Sequence, residues 1–198
     1  MAEAKKKTAK KTAVPEMGSF TDERDGHVYK TVKIGNQVWM AENLDFGELT
    51  ESKKLKRGQK WHLWGQAEGD EIFGGLYTWD VAKASCPAGW HLPSRDEVNA
   101  LKNYVITHGV KENGIKKALR ATTGWGFDRE GKDKFGFCAF LAGSRNDLGY
   151  ANMDTYWWLD EQFCCWGDDL IIFDFDDLDD EERKSVKVYG YSVRCVKD

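Results

Sequence analysis

Apolar and polar residues alternate from residue 28 to 34, with Val28, Val32 and Ile34 set against Tyr29, Thr31 and Lys33, the two-residue period of a half-buried strand. Gly35-Asn36 follows as a two-residue turn with glycine first, and Gln37-Val38-Trp39-Met40 returns. The pattern predicts a domain that opens on a β-hairpin at about residue 27, led in by a polar turn over 22–26.

The period then changes. Thr78 offers a hydroxyl cap, Ala82 and Ala84 favour helix, and Pro87 stops it because proline cannot continue the backbone ladder, so a first helix is expected over 79–85. Ser94 and Glu97 have the spacing of a capping box, in which each side chain satisfies a backbone N–H of the first turn. A second helix is therefore expected over 95–108, burying Val98, Leu101 and Val105 and ending near Gly109. Cys86 and Trp90 bracket the Pro87-Ala88-Gly89 turn between the two.

Residues 48–75 are charged and glycine-bearing, broken by Trp61, Leu63 and Trp64, and read as a long loop with one aromatic anchor. A short third helix is expected over 115–120, turns over 121–134, a buried strand over 135–141 and a loop over 143–152. The last third reads as a meander of strands over 155–159, 169–175 and 187–196. A hairpin, two helices and then antiparallel strands make an α+β domain whose first and last strands could pair.

At 198 residues and 41% hydrophobic, the chain suffices for one sizeable core, and the nine tryptophans suit a fold of short elements and many loops. Nothing approaches the roughly eighteen consecutive apolar residues of a membrane span. Charge is uneven: residues 1–18 carry Lys5, Lys6, Lys7, Lys10 and Lys11 against Glu3 and Glu16, about +3, which leaves about −7 for residues 19–198. This stretch lacks a packable apolar face and reads as a disordered basic tail, with weak nucleic-acid contact through phosphate neutralisation as the alternative to plain solubilisation. It carries no apolar run of the signal-peptide kind, which argues for the cytoplasm.

Five cysteines are an odd count with no C-x-x-C and no zinc spacing. His27, His62, His91 and His108 are scattered and form no Ser/His/Asp pattern, and His91 reads as structural.

Several blocks then point in one direction: Val28-Tyr29-Lys30-Thr31-Val32-Lys33-Ile34-Gly35, Trp39-Met40-Ala41-Glu42-Asn43-Leu44, Leu76-Tyr77-Thr78-Trp79, Cys86-Pro87-Ala88-Gly89-Trp90-His91-Leu92-Pro93-Ser94, Phe135-Gly136-Phe137 and Ser192-Val193-Arg194-Cys195-Val196. With them the chain resembles, over 19–198, the Fibrobacter succinogenes major paralogous domain, which in turn looks related to the C-type-lectin-like fold and its formylglycine-generating-enzyme branch. The resemblance implies a small twisted antiparallel sheet, two main helices, chain ends brought together and long loops that carry binding. It also implies a disulfide between Cys86 and Cys195 and a bacterial cell-surface or secreted location. It departs from the family where Trp158 is followed by Leu159-Asp160-Glu161-Gln162, and where Trp61-His62-Leu63-Trp64 stands in place of a loop cysteine pair.

Three functions follow as expectations. The first is a non-enzymatic binding or display module for a protein or glycan, with ligand contacts at Tyr156, Trp158, Asp160, Gln162, Trp166, Asp174 and Asp176. Alternation places at least one of Trp157 and Trp158 outward, and neighbouring aromatics and carboxylates suit recognition. The second is an oxidase-like enzyme using Cys164-Cys165, against which the surrounding Asp160, Glu161, Asp168 and Asp169 disfavour a thiolate. The third is a purely structural surface or assembly protein. No cofactor is expected. The run containing Asp174, Asp176, Asp177, Asp179, Asp180, Glu181 and Glu182 reads as a solvated acidic face in preference to a calcium site, because it lacks the spacing of a calcium loop.

Overall fold

The computed structural model describes residues 14–63, 70–124, 130–146, 151–152, 155–165 and 171–198. In chain order the elements are β1 (Glu16–Thr21), β2 (Val28–Ile34), β3 (Gln37–Met40), β4 (Glu48–Leu49), β5 (Gln59–Lys60), β6 (Leu76–Tyr77), α1 (Trp79–Lys83), β7 (Trp90–His91) and α2 (Arg95–Thr107). There follow α3 (Ile115–Leu119), β8 (Ser144–Arg145), β9 (Ala151–Asn152), β10 (Tyr156–Leu159), β11 (Gln162–Cys165), β12 (Ile171–Asp174), α4 (Asp180–Lys187), β13 (Tyr191–Ser192) and β14 (Val196–Lys197).

The described strands form two five-stranded sheets, ordered β1-β2-β3-β14-β7 and β12-β11-β10-β13-β6, and two two-stranded pairs, β4-β5 and β8-β9. The opening hairpin forms as its sequence dictates, with Ile34 opposite Gln37 and Gly35 at φ +64°, a backbone conformation glycine adopts without steric cost. The closing strand pairs with β3 and β7, Val196 lying opposite both Trp39 and His91, so it adds beside the hairpin's second strand. Both ends of the described chain thus share one sheet.

Two apolar cores flank β10. One gathers Val32, Ile34 and Trp39 with Val98, Leu101 and Val105 of α2, Leu119 of α3, and Trp157 and Leu159. The other gathers Tyr29, Met40, Leu44, Tyr77, Val81, Trp158, Phe163, Phe175, Tyr191, Val193 and Cys195. Trp157 and Trp158 are 5% and 0% exposed, so neither of the pair points outward. Alternation holds, but each face of β10 meets a core, and a strand covered on both sides buries neighbouring residues alike.

Between the cores lies Arg194, fully buried. Its guanidinium donates to Asn43 Oδ1 through Nε and Nη2 at 3.1 and 2.9 Å and to the carbonyls of Phe137 and Cys138, and it packs over the Phe137 ring. Burial pulls its pKa down to about 10. Trp157 Nε1 donates to the same Asn43 oxygen at 2.9 Å. Asn43 and Arg194 belong to two of the blocks quoted above, and here they hold the scaffold.

The corner forms largely as read. Ser94 and Glu97 make both halves of the capping box, and Val98, Leu101 and Val105 are buried. The expected Cys86–Cys195 disulfide is present. Thr78 is the N-cap of α1 but makes no side-chain capping bond.

Four expectations are corrected. Residues 135–141 bury Phe137, Ala139 and Leu141 yet form no strand, because Cys138 turns back at φ +53° and only the Arg120–Ala139 bridge survives. Residues 187–196 are not one strand: Lys187 ends α4, whose start at Asp180 is set by an Asp179–Glu182 capping box. Within 143–152, Ser144–Arg145 pairs with Ala151–Asn152. Glu16, Met17 and Gly18, assigned above to the tail, pair with β2; the five tail lysines lie outside the described residues.

Candidate functional site

Three segments converge where the two-residue Asp160-Glu161 turn of the β10–β11 hairpin projects. The corner holds that turn, since Asp160 N–H donates to the Pro93 carbonyl at 3.0 Å. Helix α1 lies alongside: Lys83 Nζ is 3.4 Å from Asp160 Oδ1, and Trp79 Nε1 donates to the Leu159 carbonyl at 3.4 Å. The third segment runs from the end of β12 into α4. Arg95, first residue of α2, bonds Asp174, which holds the end of β12 against the corner. Arg183 of α4 reaches back to the Phe175 and Leu178 carbonyls at 2.9 and 3.2 Å, fastening the acidic turn between β12 and α4.

These contacts enclose a cleft of about 240 Å³ lined by Trp79, Glu161, Asp174, Phe175, Asp176, Arg183 and Lys187. The Trp79 indole is part of its wall. The Phe175 ring meets it edge-on at 5.3 Å, and the Lys187 and Lys83 ammoniums lie 4.1 and 4.5 Å from its centre. Such cation–π contacts hold donors beside an aromatic surface. The Lys83–Asp160 pair itself lines a second cavity, of about 380 Å³, which includes Arg57, Trp90, His91 and the Cys86 end of the disulfide in its wall. His91 in this wall is held on both ring nitrogens, Nδ1 at 2.6 Å from Asp198 Oδ1 and Nε2 at 3.0 Å from Glu97 Oε1. Burial alone would lower the imidazole pKa, but hydrogen bonds to both carboxylates carry it above the usual histidine value.

Asp174 and Asp176 therefore share the first cleft, and Asp160 stands beside it in the wall of the second. Trp158 is a correction: it is fully buried, donates Nε1 to the Tyr77 carbonyl at 2.5 Å and has no surface to offer. Tyr156 is half-buried and stacked on Tyr191 at 4.6 Å. Gln162 pairs with Asp174 through its backbone, its side chain lying outside what is described, and Trp166 falls outside the described residues. Trp79, Lys83, Arg183 and Lys187 were missed. Trp79 and Lys83 carry a readable signal, since residues four apart on a helix meet; Lys187 was hidden by reading its segment as strand.

A second polar cluster is internal. Asp45 accepts from Lys60 Nζ at 2.7 Å and lies 3.1 Å from His62 Nε2, with all three side chains nearly buried. Burial would raise the Asp45 pKa, but the bonds from His62 and Lys60 hold it below the usual carboxylate value. This cluster fastens the 45–62 loop to the sheets. The thiol of Cys138 is pushed up by burial despite the nearby Arg194. Among the described residues, no group of three or more His, Cys, Asp or Glu side chains is placed to hold a metal ion, and no helix is long and apolar enough to cross a membrane.

Sheets of mainly antiparallel strands, with helices packed against them, define an α+β domain. Residues 32–197 match the Fibrobacter succinogenes major domain, and the chain belongs to that family. No curated protein and no solved structure matches it.

Proposed function

We propose that this chain is a non-enzymatic binding module with a C-type-lectin-like fold, taking a protein or glycan ligand at the surface formed by the 160–161 turn, α1 and the 174–187 segment. The observation that carries the reading is the cleft itself: an indole with two ammoniums against it and three carboxylates in the wall, beside a turn and a strand end that Asp160–Pro93 and Arg95–Asp174 hold to the corner. A preorganised surface with an aromatic centre and paired polar groups favours recognition.

In this reading the carboxylates accept hydrogen bonds and need no calcium. The Cys86–Cys195 bond supports a cell-surface or secreted location, where disulfides persist. The test is a combined glycan and protein array probed with the full chain, with and without EDTA. Reproducible hits insensitive to EDTA are expected; an array without hits would overturn the binding reading, and rapid selective alkylation by iodoacetamide at neutral pH would overturn the non-enzymatic part.

A further inference from the structure

We infer that the outer edge of β1 pairs with β1 of a second copy of this chain, antiparallel about a two-fold axis at Ser19, so that two five-stranded sheets join edge to edge. β1 ends its sheet, and among the described residues its backbone pairs with β2 alone. The β2 ladder shows which groups are left over. Lys30 donates its N–H to Glu42 Oε1 at 2.7 Å and accepts from Ala41 N–H at 2.8 Å, both on the β3 side. Backbone direction alternates along an antiparallel strand, so Tyr29, Thr31 and Lys33 face β1 and bond Phe20, Gly18 and Glu16. Met17, Ser19 and Thr21 therefore turn their N–H and C=O groups outward.

Natural edges are blunted by lysine, proline, bulges or inward-pointing charge. Between Met17 and Thr21 the strand has none of these, and its register with β2 is unbroken. Its single charge, Glu16, already lies 3.7 Å from Lys33. Three of the six large apolar side chains exposed on the described residues gather here: Val14 at 90%, Met17 at 53% and Val28 at 57%. Such an edge is a template for another strand.

Two observations select a second copy as that strand. The first is self-complementarity. Rotation about Ser19 sets Met17 opposite the partner's Thr21 and Ser19 opposite the partner's Ser19, so every outward N–H and C=O of the three residues finds a mate. In this register Gly18 lies opposite the partner's half-buried Phe20, a pairing in which a ring covers an edge glycine, and Met17 comes beside the partner's Thr21 and Val28. The second is charge. Lys5, Lys6, Lys7, Lys10 and Lys11 precede Val14, and the same rotation brings Val14 alongside the partner's 22–26 turn, where Glu23 and Asp25 are exposed and Asp22 is paired with Arg24. In the chain's own domain that turn is at the far end of β1, roughly 25 Å away at the rise of a strand.

The experiment is sedimentation velocity of the full chain over a range of concentrations, with cysteine cross-linking beside it. A reversible dimer is expected. Ser19→Lys sets two ammoniums face to face, and Ser19→Pro removes the two central N–H donors but no bond to β2; each should weaken the dimer about tenfold or more, the loss of roughly two hydrogen bonds. Circular dichroism checks that each variant folds, and because Ser19 is exposed, Ser19→Lys keeps the test open if the proline variant does not fold. Under mild oxidation Ser19→Cys should form a linked dimer that the wild type does not, since directly opposed residues sit about 5.5 Å apart, within disulfide reach; Thr21→Cys, whose mate is the partner's Met17, should not. Glu23→Lys should weaken the dimer about threefold at low salt and little at high salt. A chain that is monomeric at every concentration, or a dimer unmoved by Ser19→Lys, overturns the proposal. Thr21→Cys linking as fast as Ser19→Cys overturns the register, and indifference to both Glu23→Lys and salt overturns the charge argument for a second copy. Met17, Ser19 and Thr21 amides protected from exchange in a monomer would put the chain's own residues 1–13 on the edge and overturn the proposal in their favour.

Discussion

Cys86, in the wall of a surface cavity, is bonded to Cys195, which is completely buried 109 residues further along the chain. The bond ties the corner before α2 to the last stretch between the two sheets. A cross-link of that span restricts the unfolded chain, and the double variant Cys86→Ser/Cys195→Ser should lose about 2–5 kcal/mol in urea unfolding. An unchanged midpoint would mean the packing around Cys195 suffices alone.

His91 gives the fold a pH dependence with a defined sign. Its ring nitrogens face Glu97 and Asp198, and its pKa is raised in the fold, so its contribution is complete below the ordinary histidine value near 6.5 and is lost as pH climbs through the higher folded value. The stability gap between the wild type and His91→Gln should be larger at about pH 5.5 than at about pH 8.5. The side chain is 40% exposed, so the gap is modest, and one that widens with pH would contradict the assignment.

Asp45 behaves oppositely. Its lowered pKa makes its contribution complete above the usual carboxylate range and lost as pH falls through the folded value. Asp45→Asn should therefore flatten the acid limb of the stability curve below about pH 4. Lys60→Ala, which strands a nearly buried carboxylate, should cost about 3 kcal/mol in chemical denaturation.

Much of the scaffold was legible because its signals are local. The Gly35-Asn36 turn, the Ser94–Glu97 box and the α2 apolar stripe each depend on residues a few positions apart, and each formed. What failed was decided at long range. Trp158 carries the same alternation whether one face or both faces of β10 are covered, and only the arrival of β13 and the second core settles it. Residues 135–141 are apolar enough for a strand, but the Arg194 guanidinium claims the Phe137 and Cys138 carbonyls. Of the candidate cleft's wall, Asp174 and Asp176 are among the residues singled out from the sequence, whereas Trp79 was absorbed into the helix start that it also serves.

Trp158 and Trp79 should separate stability from binding. Trp158→Ala removes a completely buried indole and should cost about 3–5 kcal/mol, while Trp158→Phe, if folded by circular dichroism, should keep the wild-type array profile. Trp79→Ala should leave a cooperative unfolding transition and lose the array hits. The reverse pattern would return Trp158 to the binding surface.

The most direct measurement is hydrogen exchange on the full chain, alone and saturated with its tightest array hit. The account predicts slowed exchange over 79–83, 160–161 and 174–187, with the exposed edge strand 16–21 unchanged. Protection confined to 16–21 or to α2, with the 160–161 turn unaffected, would contradict it.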